Sequence, residues 1–244
     1  VGYKFTENSI LSIYGRSDDH NTVGRNETYK VNFTKLFDKF KFGLTHSTGL
    51  RNPTLYELYG SDNYGIGGNV NLNPEKSETN ELSLKYNILE NLSFNTTLYR
   101  SKVYDQIESN AAYSKHENQL IDINQEGLEN EISFNGNNES LSIYNIFSKS
   151  RKTNGQTQAR RPDLSYGANL IKKINKSPLG TFNLNLNYKY TGKYIDWDGS
   201  KNSRQKSTDI VDIFLTKDLF GIIYSLKISN LLDENYEKPA TYSQ

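Results

Sequence analysis

Residues 182–190 read FNLNLNYKY, and this stretch decides the fold class. Phe182, Leu184, Leu186, Tyr188 and Tyr190 alternate with Asn183, Asn185, Asn187 and Lys189. A period of two places every apolar side chain on one face of a strand and every polar one on the other. The same pattern recurs outward along the chain. In 81–88 (ELSLKYNI), Leu82, Leu84, Tyr86 and Ile88 oppose Ser83, Lys85 and Asn87. In 29–35 (YKVNFTK), Tyr29, Val31 and Phe33 oppose Lys30, Asn32 and Thr34. In 39–44 (KFKFGL), Phe40, Phe42 and Leu44 oppose Lys39, Lys41 and Gly43. No segment shows a helical period.

This patterning predicts about twelve strands, at 1–5, 9–18, 27–36, 39–49, 77–88, 91–108, 119–136, 138–150, 163–175, 180–193, 207–217 and 222–230. Their connections alternate in length. Tight turns at 6–8, 37–38, 89–91, 136–137, 175–178 and 218–221 alternate with longer polar loops at 19–26, 50–76, 109–118, 151–162, 194–206 and 231 onward. A transmembrane β-barrel sorts its connections this way, with short periplasmic turns at one rim and long extracellular loops at the other. Several of the strands also reach the roughly 9–11 residues needed to cross a bilayer at a tilt. The fold class expected is therefore all-β, an antiparallel transmembrane β-barrel. On patterning alone, a soluble β-sandwich binding module with its polar faces turned to water remains the alternative.

Composition fits both readings and excludes others. The 244 residues carry 29 Lys+Arg against 28 Asp+Glu, a net charge of +1, which argues against a nucleic-acid binder working through a strong positive field. Cysteine is absent, so there is no disulfide framework and no thiolate chemistry. Mean hydropathy is −0.75, and no apolar run is long enough for a transmembrane helix. A barrel keeps its average hydropathy low because only alternate residues face lipid. Eighteen tyrosines suit strands and a membrane–water interface. The chain begins at Val1 and contains no methionine, which reads as a portion of a longer protein.

The stretch 49–60, GLRNPTLYELYG, needs a separate explanation, because a clean strand runs into a long aromatic loop there. Arg51 and Pro53 are placed to end the ladder, since Pro lacks an N–H and fixes φ. Gly49, Arg51, Pro53, Leu55, Glu57, Leu58, Tyr59 and Gly60 are followed by Asn71, Leu72, Pro74, Glu75, Ser77 and Glu78. In this order and spacing they resemble the barrel of the TonB-dependent outer-membrane receptors. YRSKVYDQIE (99–108), LIDINQEGLENEISF (120–134), ARRPDLSYGANL (159–170) and LKISNLLDENYE (226–237) resemble further strands of that barrel, so the likeness covers essentially the whole chain. The compact loops and the ending are most similar to the cobalamin receptor type.

The resemblance implies a single domain over 1–244. It is the C-terminal part of a barrel of about 22 strands, roughly the tenth to the twenty-first, without the plug and without the last strand. It implies a bacterial outer-membrane receptor for TonB-energised uptake of a scarce nutrient, a cobalamin-like corrinoid or a ferric siderophore. The partners implied are outer-membrane lipid and lipopolysaccharide, the TonB complex through the missing plug, and the small-molecule nutrient. No nucleic acid is implied, and the receptor is a monomer. A passive porin or structural barrel is the competing reading, and an outer-membrane hydrolase would need a Ser/His/acid arrangement that is not evident.

Candidate substrate-binding residues are Arg51, Tyr56, Tyr59, Tyr64 and Trp197, each weighed against a role in folding its loop. No catalytic residue, metal ligand or cofactor is expected: His20, His46 and His116 lack metal spacing, and GIGG (65–68) opens no helix. The basic loop 151–161 is expected to contact lipopolysaccharide or to solvate the rim. Asp196 and Asp198, like Asp233, Glu234 and Glu237, read as solvated loop acids or as oxygen ligands for Ca²⁺.

Overall fold

The computed structural model describes residues 2–61, 65–110, 112, 114–175, 177, 180–197 and 202–236. In chain order the elements are β1 (Gly2–Thr6), β2 (Ser9–His20), β3 (Gly24–Leu36), β4 (Phe40–Arg51), α1 (Leu55–Tyr59), β5 (Glu75–Leu89), β6 (Leu92–Tyr104), β7 (Ile107–Ser109) and β8 (His116–Asn118). They continue with β9 (Ile123–Asn135), β10 (Glu139–Lys152), β11 (Leu164–Ile174), β12 (Phe182–Thr191), β13 (Tyr194–Trp197), β14 (Asn202–Gln205), β15 (Thr208–Leu219) and β16 (Ile222–Ile228).

Twelve of these strands form one sheet in the order β1-β2-β3-β4-β5-β6-β9-β10-β11-β12-β15-β16, so each neighbour in the sheet is the next long strand in the chain. This is an up-and-down antiparallel meander, as the alternation predicts. The other four strands pair as two small hairpins, β7–β8 and β13–β14, both within long loops. The expected strand 91–108 stops at Tyr104, because Asp105 turns the chain with a left-handed φ of 54° before β7 begins. The strand expected from 119 starts at Ile123, after the β7–β8 hairpin has closed. The β15–β16 turn shows why the short connections stay short. Phe220 (φ 57°) and Gly221 (φ 79°) both take the left-handed conformation that a two-residue type I′ hairpin turn requires.

The chain divides into two compact units. The first comprises Val1–Ser83, Leu98–Glu126 and Ser150–Thr157. Its strands bury almost nothing apolar: Leu44, Leu82 and Leu98 are 46%, 39% and 53% exposed. Of its buried apolar residues, Leu58, Leu72 and Ile107 lie in the long loops and in β7, and Ile123 stands at the very start of β9. The opposite, polar face carries cross-strand hydrogen bonds, with Asn32 Nδ2 donating to Thr45 Oγ1 (2.8 Å) and Thr79 bonded to Ser101 (2.8 Å).

The second unit comprises Leu84–Thr97, Gly127–Lys149 and Gln158–Gln244. Its strands repeat the pattern. Ile143 and Phe147 are half exposed on the apolar face, while Asn169 Nδ2 donates to Asn185 Oδ1 (3.0 Å) on the polar one. Tyr166, Tyr188 and Tyr190 cluster at the long-loop ends of β11 and β12. Tyr166 stacks on Tyr190 at 4.4 Å, and the Tyr188 hydroxyl donates to Asp209 (2.6 Å). Such a belt suits a water–hydrocarbon boundary.

A sandwich cannot leave its apolar sheet face uncovered, since that burial is what holds two sheets together. A lipid-facing sheet leaves it uncovered by construction. Ile143→Lys, on the apolar face, is therefore expected to destabilise the folded protein by about 2–4 kcal/mol, and Ser142→Lys, one residue away on the polar face, by far less. Denaturant titration of the protein refolded into lipid vesicles measures both.

Candidate functional site

The loop 52–74 and the β7–β8 segment, both in the first unit, form a folded platform beyond the strand ends. Thr54 starts it. Its hydroxyl accepts from Glu57 N (3.2 Å) while Thr54 N donates to Glu57 Oε2 (2.7 Å), a reciprocal capping box that launches α1. The helix closes at Gly60, whose N–H returns to Tyr56 O (2.8 Å). The chain then doubles back. Gly68 N donates to Gly60 O (2.6 Å), and a Cβ on Gly68 would lie 2.5 Å from the Leu58 carbonyl and Tyr59 N. Only glycine lets the return strand lie this close to the helix.

Arg51 fastens the platform to the sheet. Its guanidinium forks onto Glu57 (3.0 and 3.1 Å) and reaches Glu75 Oε1 (2.6 Å), which also accepts from Ile107 N (2.8 Å). One cation thus joins the end of β4, helix α1, the start of β5 and β7. Leu58, Leu72 and Ile107 pack beneath it as the loop's own small core. Asn118 completes the joint. Its Oδ1 accepts from Asn73 N (2.8 Å), and its Nδ2 donates to the carbonyls of Asn73 (2.9 Å) and Asp105 (2.7 Å).

Electrostatics follow from this geometry. Hydrogen bonds to Glu75 first, and to Glu57 second, raise the already high pKa of Arg51. Burial pushes the Glu57 carboxyl up. The hydrogen bonds from Arg51 and Thr54 outweigh that and hold it below the ordinary carboxylate range.

The sequence-derived candidates are placed as follows. Arg51 closes β4, with its donors committed to two carboxylates. Tyr56 and Tyr59 stand on α1, 46% and 61% exposed, beside Leu55 at 75%. The Tyr56 ring meets His116 edge-on at 5.6 Å, and the Tyr59 hydroxyl lies 3.3 Å from Thr22 Oγ1. Tyr64 lies outside the described residues. Trp197 ends β13, paired with Asn202, and its side chain is likewise outside them. The platform thus brings Arg51, Tyr56 and Tyr59 together.

Two expectations need correction. Asp196 is neither a solvated acid nor an open cation ligand: it is 2% exposed and accepts from Arg160 Nε at 2.6 Å. The basic loop is correspondingly less free than its composition implies, because Arg160 pairs with Asp196 and Lys152 with Glu108 (3.4 Å). Asp198 and Glu237 lie outside the described residues, and among those described no three His, Asp or Glu side chains are grouped to hold a metal ion. The helix and its cap escaped the sequence reading, although Thr54-x-x-Glu57 is itself the signal of a capping box. The bridging role of Asn118 had no local signal.

The chain matches the family described as TonB dependent receptor-like, beta-barrel, over residues 2–231. It belongs to that family. A TonB-dependent receptor barrel resides in the bacterial outer membrane. Among curated relatives, the vitamin B12 transporter BtuB of Vibrio cholerae serotype O1 is 25% identical over 241 residues, 96% of this chain. The chain spans 38% of that relative's length. Among solved structures, the siderophore receptor PirA of Acinetobacter baumannii superposes with a TM-score of 0.75 at 17% identity, covering 95% of this chain and 40% of that one. The ferripyoverdine receptor of Pseudomonas aeruginosa, bound to ferripyoverdine, gives 0.72 at 16% identity, covering 96% and 34%. These structures share the TonB-dependent receptor fold with the chain.

Arg51→Ala should leave Glu57 and Glu75 facing each other without their cation. We expect local opening of the loop to become easier by about 1–3 kcal/mol, read as faster hydrogen exchange at Leu58 and Gly68. Acid should act on the same joint. Because the folded pKa of Glu57 lies below its unfolded value, its contribution is complete at neutral pH and is lost as pH falls through the carboxylate range. Exchange at Gly68 is expected to rise in that window in the wild type, and Glu57→Gln is expected to flatten the response.

Proposed function

We propose that residues 1–244 are part of one barrel domain of a receptor that captures a scarce nutrient with its outer loops and passes it inward under TonB control. The observation that carries this reading is the family match over residues 2–231 on a sheet whose apolar face is uncovered. The nutrient is a cobalamin-like corrinoid or a ferric siderophore. The corrinoid is the first to test, because the 25%-identical relative is named a vitamin B12 transporter. The partners are outer-membrane lipid and lipopolysaccharide, and the TonB complex through a plug domain. The receptor works as a monomer, and capture and release require no bond chemistry from it.

Within this reading Tyr56, Tyr59 and Leu55 are the contact surface on the platform. Arg51 acts through them, holding the helix that presents them, and is a positioning residue. Tyr64 and Trp197 remain proposed contacts.

The test is uptake by cells that depend on the full receptor, supplied with radiolabelled cobalamin or ferric chelates, with and without functional TonB. TonB-dependent accumulation of one ligand is the expected result, and TonB-independent leakage of small solutes would point to a porin instead. Tyr59→Ala is expected to weaken binding of that ligand by about 1–3 kcal/mol, roughly five- to 150-fold, without lowering receptor abundance.

A further inference from the structure

Strands β3 and β4 part before either ends. They pair from Leu36–Lys41 up to Lys30–Ser47, and there the ladder stops. Thr48 ends it. The Tyr29 N–H donates to the Thr48 hydroxyl (2.9 Å), and that hydroxyl donates to the Tyr29 carbonyl (3.4 Å). One side chain thus takes the two bonds that the next backbone pair would have made. Beyond this point β4 keeps to β5. Arg51 is tied to Glu75 (2.6 Å), and the Ser77 hydroxyl lies 2.5 Å from where a Cβ on Gly49 would stand. β3 keeps to β2 instead, with which it pairs without a break from Lys35–Ser9 to Gly24–His20.

The outer part of β3 therefore has a bare edge. Backbone groups alternate sides along a paired strand. Leu36 N donates toward β2, to Asn8 O (2.8 Å), as the even-numbered residues of β3 do; Tyr29 and the other odd-numbered residues turn toward β4. Past Tyr29, the N–H and C=O groups of Glu27 and Arg25 have no protein partner on that side among the described residues.

This edge is framed at both ends. Its floor is the Tyr29–Thr48 pair, and its roof is Thr22, whose hydroxyl lies 3.3 Å from that of Tyr59 on α1. The span between them takes about five residues of extended chain. The exposed side chains of Arg25 and Glu27 pair with each other (2.8 Å) on one face of the hairpin. Charges of this kind blunt a free edge against indiscriminate pairing.

A row of backbone donors and acceptors in strand geometry is matched by another extended backbone. The antiparallel ladder below it sets the direction in which a strand adds. We propose that this edge docks an extended segment of a partner polypeptide, which reaches the long-loop rim from outside the cell and adds as a strand antiparallel to β3. Its backbone exchanges hydrogen bonds with Glu27 and Arg25. A basic side chain stands across from Glu27 and an acidic one across from Arg25. The site lies beside the tyrosines of α1 but uses the backbone of another strand, so it is the same whichever nutrient the receptor takes.

The test uses the full receptor in mild detergent and the synthetic peptide Val-Thr-Lys-Thr-Glu, blocked at both ends, with amide hydrogen exchange resolved residue by residue. In the free receptor, exchange is expected to be fast at Arg25 and Glu27 and slow at Asn26 and Thr28, which turn toward β2. Millimolar peptide should slow Arg25 and Glu27 several-fold and leave Asn26 and Thr28 unchanged. N-methylation of the third peptide residue, across from Glu27, should abolish this protection. N-methylation of the second, whose N–H points away, should preserve it. Glu27→Pro removes one donor at an edge position where a strand accepts proline, and should abolish protection of Arg25. Slow exchange at Glu27 in the free receptor means that the edge is already covered, and overturns the proposal. So does a lack of protection by the peptide, equal protection by the two methylated peptides, or protection of Arg25 in folded Glu27→Pro. If the proline variant does not fold, the two methylated peptides decide.

Discussion

Hydrocarbon offers no hydrogen-bond partner, so each backbone N–H and C=O that enters the membrane must find one within the protein. The twelve-stranded meander meets that requirement by ladder pairing, and much else follows from it. The strands must stay extended and continuous over the width of the bilayer, which gives runs of 12 to 15 residues in β2 through β5. Pairing fixes a period of two, so one face is given over to lipid and the other to polar groups. The Asn, Ser and Thr cross-links of the polar face then use side chains that would be unsatisfied on the other side. Turns between strands are as short as the backbone allows at one rim, which is why Phe220 accepts a left-handed φ there.

Beyond the strand ends that constraint lifts, and the chain satisfies its backbone by other means. Side chains replace the ladder: Thr54 caps a helix, Asn118 bridges Asn73 and Asp105, and Asn69 Nδ2 reaches the carbonyl of His116 (2.9 Å). Three apolar residues suffice as a core because the ion pairs around Arg51 anchor the loop to the ends of β4 and β5. The result is a surface whose aromatic residues are presented on a fixed support. Binding to such a surface loses less conformational freedom than binding to a free loop.

The parts of the structure governed by period two were legible in the sequence. All twelve long strands, their order along the chain and the sorting of turns from loops follow from alternation at residues such as 81–88 and 182–190. What was not legible depends on contacts between distant loops. Asp105 carries no local mark of a break, and Asn118 acts through residues 13 and 45 positions away. The reading of Asp196 failed for a related reason. Two acids flanking a tryptophan look like a wet loop until Arg160, 36 positions earlier, is folded against one of them. The capping box at Thr54 and Glu57 is the exception, a short-range signal that strand periodicity overshadowed.

The Arg160–Asp196 pair also bears on how this surface can change over time. Asp196 is nearly enclosed, so losing Arg160 takes the cation from a buried charge, and losing the carboxylate takes the ion pair from an arginine whose backbone already bonds to Ile195 O (2.7 Å). Either single replacement passes through a state several kcal/mol less stable. The two positions are therefore chained together in evolution. Lineages should hold both charges or replace both with apolar residues, and the loops they join should diversify as one unit while their neighbours drift independently.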